Sequence, residues 1–243
     1  GDYSDMWVYI SAGSIGGALA GLFFHITNPS EFKPDNVIIT TLGLSTPTSS
    51  DNDTPTDSSS SSSNSSSSIA MTKRVSSFTM EFIGTFFLVW IVSLSVNATI
   101  PSYGGIAIGA ILMSMVFAGG HVSGAHYNPC VTLGVYIRGM NEVPCMIESM
   151  DACIYMVVQF IAALTAGSLA AFVNGGTNNI AAPGINSDYT IFAAFVCEYI
   201  FSHMLVCAVL SSATFSKSAS NSYFGMAIGW TVLTGALSVG FIS

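Results

Sequence analysis

The sequence predicts an all-α membrane protein, a bundle of six spans with an inverted internal repeat and one re-entrant half-helix. Three observations carry this. Of 243 residues, 51% are hydrophobic and only 7% charged, with a mean hydropathy of +0.62. A soluble domain carries roughly 25% charged residues, because its surface must face water. Six segments each offer the roughly 20 apolar residues that a helix needs to cross a hydrocarbon core of about 30 Å. A block of sequence also recurs at an offset of 120 residues.

The first span covers about 6–27. A polar stretch follows at 29–72, with serine runs at Ser58 to Ser63 and Ser65 to Ser68. It holds too little apolar surface to order itself, so residues 29–76 are expected to form a disordered linker before the second span. The remaining spans fall at about 77–96, 103–122, 153–173, 190–211 and 222–242. The cations orient them. Lys33, Lys73 and Arg74 flank the linker, Arg138 lies between the third and fourth spans, and Lys217 between the fifth and sixth. One topology puts all five on the cytoplasmic side, as the positive-inside rule requires. The linker is then cytoplasmic, and Gly1 and Ser243 are not. Asn97, in Asn97-Ala98-Thr99, becomes an extracellular glycosylation acceptor, while Asn52 and Asn64 face the cytoplasm and stay bare.

One apolar piece falls outside this count, between residues 121 and 138. Pro129 to Ile137 is apolar but too short to cross, with Asn128 placed as N-cap and Pro129 at the first helical position. A half-helix that re-enters the membrane accounts for it. Non-helical backbone before it, Gly124 to Tyr127, is tolerable at that depth only where it lines a cavity.

The repeat links Tyr103-Gly104-Gly105-Ile106-Ala107-Ile108-Gly109 to Tyr223-Phe224-Gly225-Met226-Ala227-Ile228-Gly229, and Val122-Ser123 to Ile242-Ser243. Three spans per copy give the copies opposite orientations, an arrangement that builds pores and transport sites near the midplane. Glu81 and Glu198 are counterparts within apolar spans. Buried carboxylates are costly there, so each either caps loop amides or meets a permeant. The glycines at Gly13, Gly17 and Gly21, and the pairs Gly105/Gly109 and Gly225/Gly229, have the small-xxx-small spacing that lets helices approach closely. His25 and His203 read as histidines with partners in the bundle or at its interface.

Several functions are excluded by composition. Five Lys plus Arg against thirteen Asp plus Glu leave a net charge of -8 and no electrostatic footprint for nucleic acid. The five cysteines, Cys130, Cys145, Cys153, Cys197 and Cys207, lack paired spacing for a metal or a disulfide framework. No nucleophile–base constellation and no cofactor fingerprint occurs, so neither enzymatic activity nor a cofactor is expected.

Ser123-Gly124-Ala125-His126-Tyr127-Asn128-Pro129-Cys130-Val131-Thr132 resembles the first signature loop of the aquaporin, or major intrinsic protein, family. The usual triplet there is Asn-Pro-Ala, so Cys130 departs by one residue. Glu81-Phe82-Ile83-Gly84-Thr85 looks like that family's first helix and Tyr155 to Gln159 like its third. Trp7-Val8-Tyr9 with Ile15-Gly16-Gly17-Ala18-Leu19-Ala20-Gly21 looks like its sixth, yet comes first. The second signature loop is expected just after Ser243, with a second half-helix and a filter Arg, and is absent. Two explanations stand: a window from a tandem array, which the missing Met favours, or a circularly permuted module.

The resemblance implies an aquaporin-like bundle, a homotetramer with one pore per subunit, and passive passage of water and small neutral solutes through the lipid bilayer. In the family, half-helices meet end to end at mid-membrane. Asn128 would then donate to passing water, and the carbonyls of Gly124, Ala125 and His126 would accept along one wall. Glu81 would brace this loop and Glu198 its partner. Ile108, twenty residues before Asn128, and Ala236 fall at the family's filter positions. Ile and Ala together imply an apolar constriction, wider than a strict water filter, that passes glycerol, urea or hydrogen peroxide. Cys130 is the expected mercury-block site, and Ser216 and Ser218 flank Lys217 as phosphorylation candidates. An inverted-repeat secondary transporter and a non-conducting membrane protein are the alternatives.

Overall fold

The computed structural model describes residues 5–27, 61–95, 101–140, 146–177, 184–214 and 221–242, with 61–69 and 101–102 described by backbone alone. Seven α-helices run in chain order among them: α1 (Met6–Thr27), α2 (Ser61–Leu94), α3 (Pro101–Ser123), α4 (Pro129–Gly139), α5 (Ser149–Val173), α6 (Ile191–Val209) and α7 (Phe224–Val239). A π turn, Leu210–Thr214, prolongs α6. Asn97, Cys145, Ser216, Lys217 and Ser218 lie outside the described residues.

Five helical stretches are long and apolar enough to cross a membrane: Met6–Thr27, Ala70–Leu94, Tyr103–Ser123, Ser149–Val173 and Ile191–Thr214. Two boundaries differ from the sequence expectation. Helix α2 begins at Ser61, inside the stretch expected to be linker as far as residue 76. Between Ser61 and the packed span there is no Pro or Gly, so a helix held at its far end propagates back through the serines. Arg74 in this stretch makes ion pairs of 2.7 Å to Asp151 and 3.1 Å to Glu148 at the start of α5. The sixth span is shorter than expected. Helix α7 has 16 residues and gives way to a turn at Gly240, rather than running on to residue 242.

The inverted repeat is visible as reciprocal packing. A Cβ on Gly109 would lie 2.9 Å from Gly229 O, and one on Gly229 would lie 2.6 Å from Gly109 O. Gly109 also meets Leu233, and Gly229 meets Met113; Gly105 meets Leu237, and Gly225 meets Phe117. Each such pair maps onto its fellow under the same offset that relates the two copies. Residue i touching j while j's counterpart touches i's is the mark of a two-fold relation. The axis therefore passes through the α3–α7 crossing, where glycine brings backbone onto backbone.

The halves correspond in their other contacts as well. Helix α2 packs on α3 and α5, and α6 packs on α7 and α1. Helix α1, although first in the chain, thus stands to α6 as α5 stands to α2. Its glycines explain how. Gly16 faces Tyr199 O of α6, where a Cβ would come within 2.7 Å. Gly13, Gly17 and Gly21 turn to α4, where a Cβ would meet Cys130 Sγ, Cys130 O and Gly134 O in turn. The half-helix is seated in that groove.

Candidate functional site

The eleven residues of α4 span about 16 Å at 1.5 Å each, half a bilayer core. Asn128 caps its N-terminus in extended backbone (φ -152°, ψ 129°), with Oδ1 accepting from Cys130 N at 2.8 Å. With Oδ1 so engaged, the amide Nδ2 is the end of Asn128 left to donate. At the other end Arg138 is buried, its guanidinium 5.0 Å from the centre of the Phe24 ring and donating to Thr214 O at 3.2 Å. His25 Nε2 lies 3.2 Å from Ile137 O, in the last turn of α4. Basic groups at a helix C-terminus complement its dipole. His203 is likewise partnered, with Nδ1 3.3 Å from Gly16 O.

The backbone before α4 is wound in unusual conformations. Gly124, Ala125 and Tyr127 have φ of 86°, 53° and 49°. For Ala and Tyr this left-handed region is unfavourable and persists only where the surroundings impose it. Glu81 of α2 imposes it here. Its carboxylate is fully buried. Oε1 accepts from Ser123 Oγ at 2.6 Å and His126 N at 3.0 Å; Oε2 accepts from Tyr127 N at 2.7 Å and Gln159 Nε2 at 2.8 Å. Four donors on one carboxylate offset the cost of burying its charge.

Around this carboxylate lies a second ring of contacts. Gln159 Nε2 also donates to Thr132 Oγ1 at 3.1 Å, and Thr132 Oγ1 lies 3.2 Å from His126 Nδ1 and donates to Asn128 O at 3.2 Å. Tyr155 OH donates to Ser123 O at 2.8 Å, and its ring packs edge-on against His126. The Tyr127 ring fills the space over Gly84 and Gly119, where any Cβ would collide with it, and its hydroxyl donates to Met115 O at 3.0 Å. Loop, α2, α3, α4 and α5 are thus one polar unit inside an apolar bundle.

The other sequence-predicted residues are placed less centrally. The His126 side chain turns into the base of the loop, where it is buried. Cys130 is half-buried and its Sγ faces Gly13, at the seam of α1 and α4. Ile108 is half-buried on α3, and Ala236 faces that helix one turn away, where a Cβ on Gly105 would lie 3.4 Å from its own. Glu198 is half-buried on α6, near enough to Cys130 and Tyr9 to act on them electrostatically. Sequence reasoning missed roles for Gln159, Thr132 and the Tyr127 side chain. The available signal was Gln159 itself, a polar amide in the middle of an apolar span. Among the described residues no cluster of His, Cys, Asp and Glu is arranged to hold a metal ion.

The chain is similar to known proteins over most of its length. The chain is 30% identical over 169 residues to Aquaporin NIP1-4 of Oryza sativa subsp. japonica, which covers 67% of this chain and 59% of the relative. Nodulin-26 of Glycine max is 31% identical over 161 residues, covering 63% of this chain and 56% of its own. Aquaporin Z of Brucella melitensis biotype 1 is 25% identical over 176 residues, covering 65% and 75%. The chain thus spans somewhat over half the length of these plant relatives. The family model described as Major intrinsic protein matches residues 66–243, which take in Glu81, the wound loop, the half-helix and Gln159. On that match, the chain belongs to the major intrinsic protein family.

Proposed function

We propose that the chain forms a passive channel for water and small neutral solutes such as glycerol, urea or hydrogen peroxide. The observation that carries this is the half-helix seated by Glu81 with Asn128 at its N-terminus. The peptide dipoles concentrate partial positive charge there, and Asn128 Nδ2 adds a fixed donor. A water oxygen is attracted to such a site and cations are repelled from it. Glycine contacts seat the half-helix against α1, so we infer that α1 serves this bundle in the sixth helix's role.

In this reading the carbonyls of Gly124, Ala125 and His126 accept from passing solute, and Ile108 and Ala236 shape the constriction. An Ile and an Ala, in place of polar or aromatic groups, make it apolar and wider than a strict water filter, which favours glycerol-sized solutes. Glu198 supports the opposite loop. The linker is cytoplasmic and Asn97 lies on the other side. Subunits assemble as a homotetramer in the bilayer, as the resemblance implies.

The test is stopped-flow light scattering on vesicles reconstituted with the whole chain. The expected result is faster water and glycerol flux than in bare lipid, rising linearly with gradient. Saturable flux would instead indicate a transporter, and flux equal to bare lipid would refute the channel. Mercury block should be lost in Cys130→Ala; block that persists in that variant removes Cys130 from the assignment.

A further inference from the structure

Helices α2 and α5 run side by side in the same direction. Arg74 meets Asp151, Phe78 meets Tyr155 and Glu81 meets Gln159, so the two helices advance in step. One turn beyond Glu81 on α2 stands Thr85, which is 3% exposed. On α5 the buried face continues from Tyr155 and Gln159 to Ala162 and Ala166, both fully buried. This register sets Thr85 opposite alanines, with Gln159 at their edge. Two buried polar atoms on these facing surfaces have no protein partner among the described residues: Thr85 Oγ1 and Gln159 Oε1. Gln159 gains nothing by turning over. Its Nε2 donates to Glu81 Oε2 at 2.8 Å and to Thr132 Oγ1 at 3.1 Å, and an oxygen there would face the carboxylate. Thr85 differs from other helical threonines. Thr79, Thr165, Thr231 and Thr234 each turn the hydroxyl back onto the carbonyl four residues earlier, at 2.8–2.9 Å. That bond satisfies a threonine hydroxyl inside an apolar helix. Thr85 does not make it to Glu81 O, so its hydroxyl is turned elsewhere.

We propose that one water molecule is built into the seam between α2 and α5, accepting from Thr85 Oγ1 and donating to Gln159 Oε1. A buried hydroxyl and a buried amide oxygen are both costly without a partner. The two atoms do not bond to each other, and a bridging water satisfies both at once. An internal water needs at least two polar partners and a little room. The seam offers the two atoms and, across from Thr85, side chains of a single methyl. The water carries the polar unit around Glu81 one turn further along the span, where both helices are otherwise apolar. The site rests on packing alone and stands apart from the channel reading.

Thr85→Val keeps the shape of the side chain and exchanges only the hydroxyl for a methyl. Thermal unfolding of the whole chain in detergent reads the consequence by its sign. With a bridging water, the change leaves that water short of a partner, and the melting temperature should fall by about 2–8 °C. In a dry seam the hydroxyl is already without a partner, so valine leaves the melting temperature unchanged or raises it, and that result overturns the proposal. The wild type gives a second reading that does not depend on the variant folding. A high-resolution density map should show one isolated peak within hydrogen-bond distance of both Thr85 Oγ1 and Gln159 Oε1. Well-ordered side chains with no peak between them, or a direct bond from Thr85 to Gln159, overturn the site whatever the melt shows.

Discussion

Replacing Glu81 by Gln tests the centre of the loop clamp with almost no change of shape. The carboxylate accepts from Ser123 Oγ, His126 N, Tyr127 N and Gln159 Nε2, two donors on each oxygen. A glutamine offers one oxygen and one NH2, so whichever way it is turned, two donors face a group that cannot accept. Ser123 can rotate its hydroxyl away, but the amides of His126 and Tyr127 cannot. Gln159 can flip only by giving up Thr132. Each hydrogen bond to a charged group is worth about 1.5–3 kcal/mol, so the loss of two gives about 3–6 kcal/mol. The left-handed backbone at Ala125 and Tyr127 loses its restraint at the same time. Thermal unfolding of purified protein in detergent is the assay, with Arg74→Ala as control. Arg74 makes ion pairs too, but on an exposed surface where such pairs contribute little. The expected fall for Glu81→Gln is on the order of 10 °C, with no resolved change for the control. A Glu81→Gln protein melting with the wild type would refute the clamp as described.

Three other substitutions probe the surroundings. Tyr127→Phe removes the bond to Met115 O and nothing else, and should cost about 1 kcal/mol in the same melt. Gly84→Ala should be far worse, because its Cβ would enter the Tyr127 ring and the ring has no space to move into; failure to purify folded protein is the expected result, and a normal melt would contradict the packing. Gly17→Ala drives a methyl into Cys130 O, a backbone atom of the first turn of α4. Overpacking of that kind costs about 1–3 kcal/mol, and the displaced half-helix should lose solute flux in vesicles more steeply than it loses stability.

Much of this was legible because membrane burial leaves strong marks. Spans, half-helix and repeat all follow from apolar length, from Pro129 after Asn128, and from glycines at matched positions. Glu81 stood out because a carboxylate in an apolar span must have a reason. What it binds was not legible. Gln159 lies 78 residues away and His126 lies 45 away, and only packing of α2 against α5 and the loop brings them together. The start of α2 was misread for a different reason. Serine runs look disordered by composition, but a helix anchored at one end needs no apolar face to continue for a few turns. The length of α7 was overestimated because Phe241 and Ile242 continue the apolar run while their backbone has already turned toward Asn186.

The reciprocal contacts at the α3–α7 crossing have a consequence for ancestry and engineering. A face on which Gly105, Gly109, Met113 and Phe117 meet the counterparts of one another is a face that recognises its own copy. The two halves are, in effect, a homodimer whose partners share one peptide chain. Duplication of a gene for one half would have needed no new interface, only a connection.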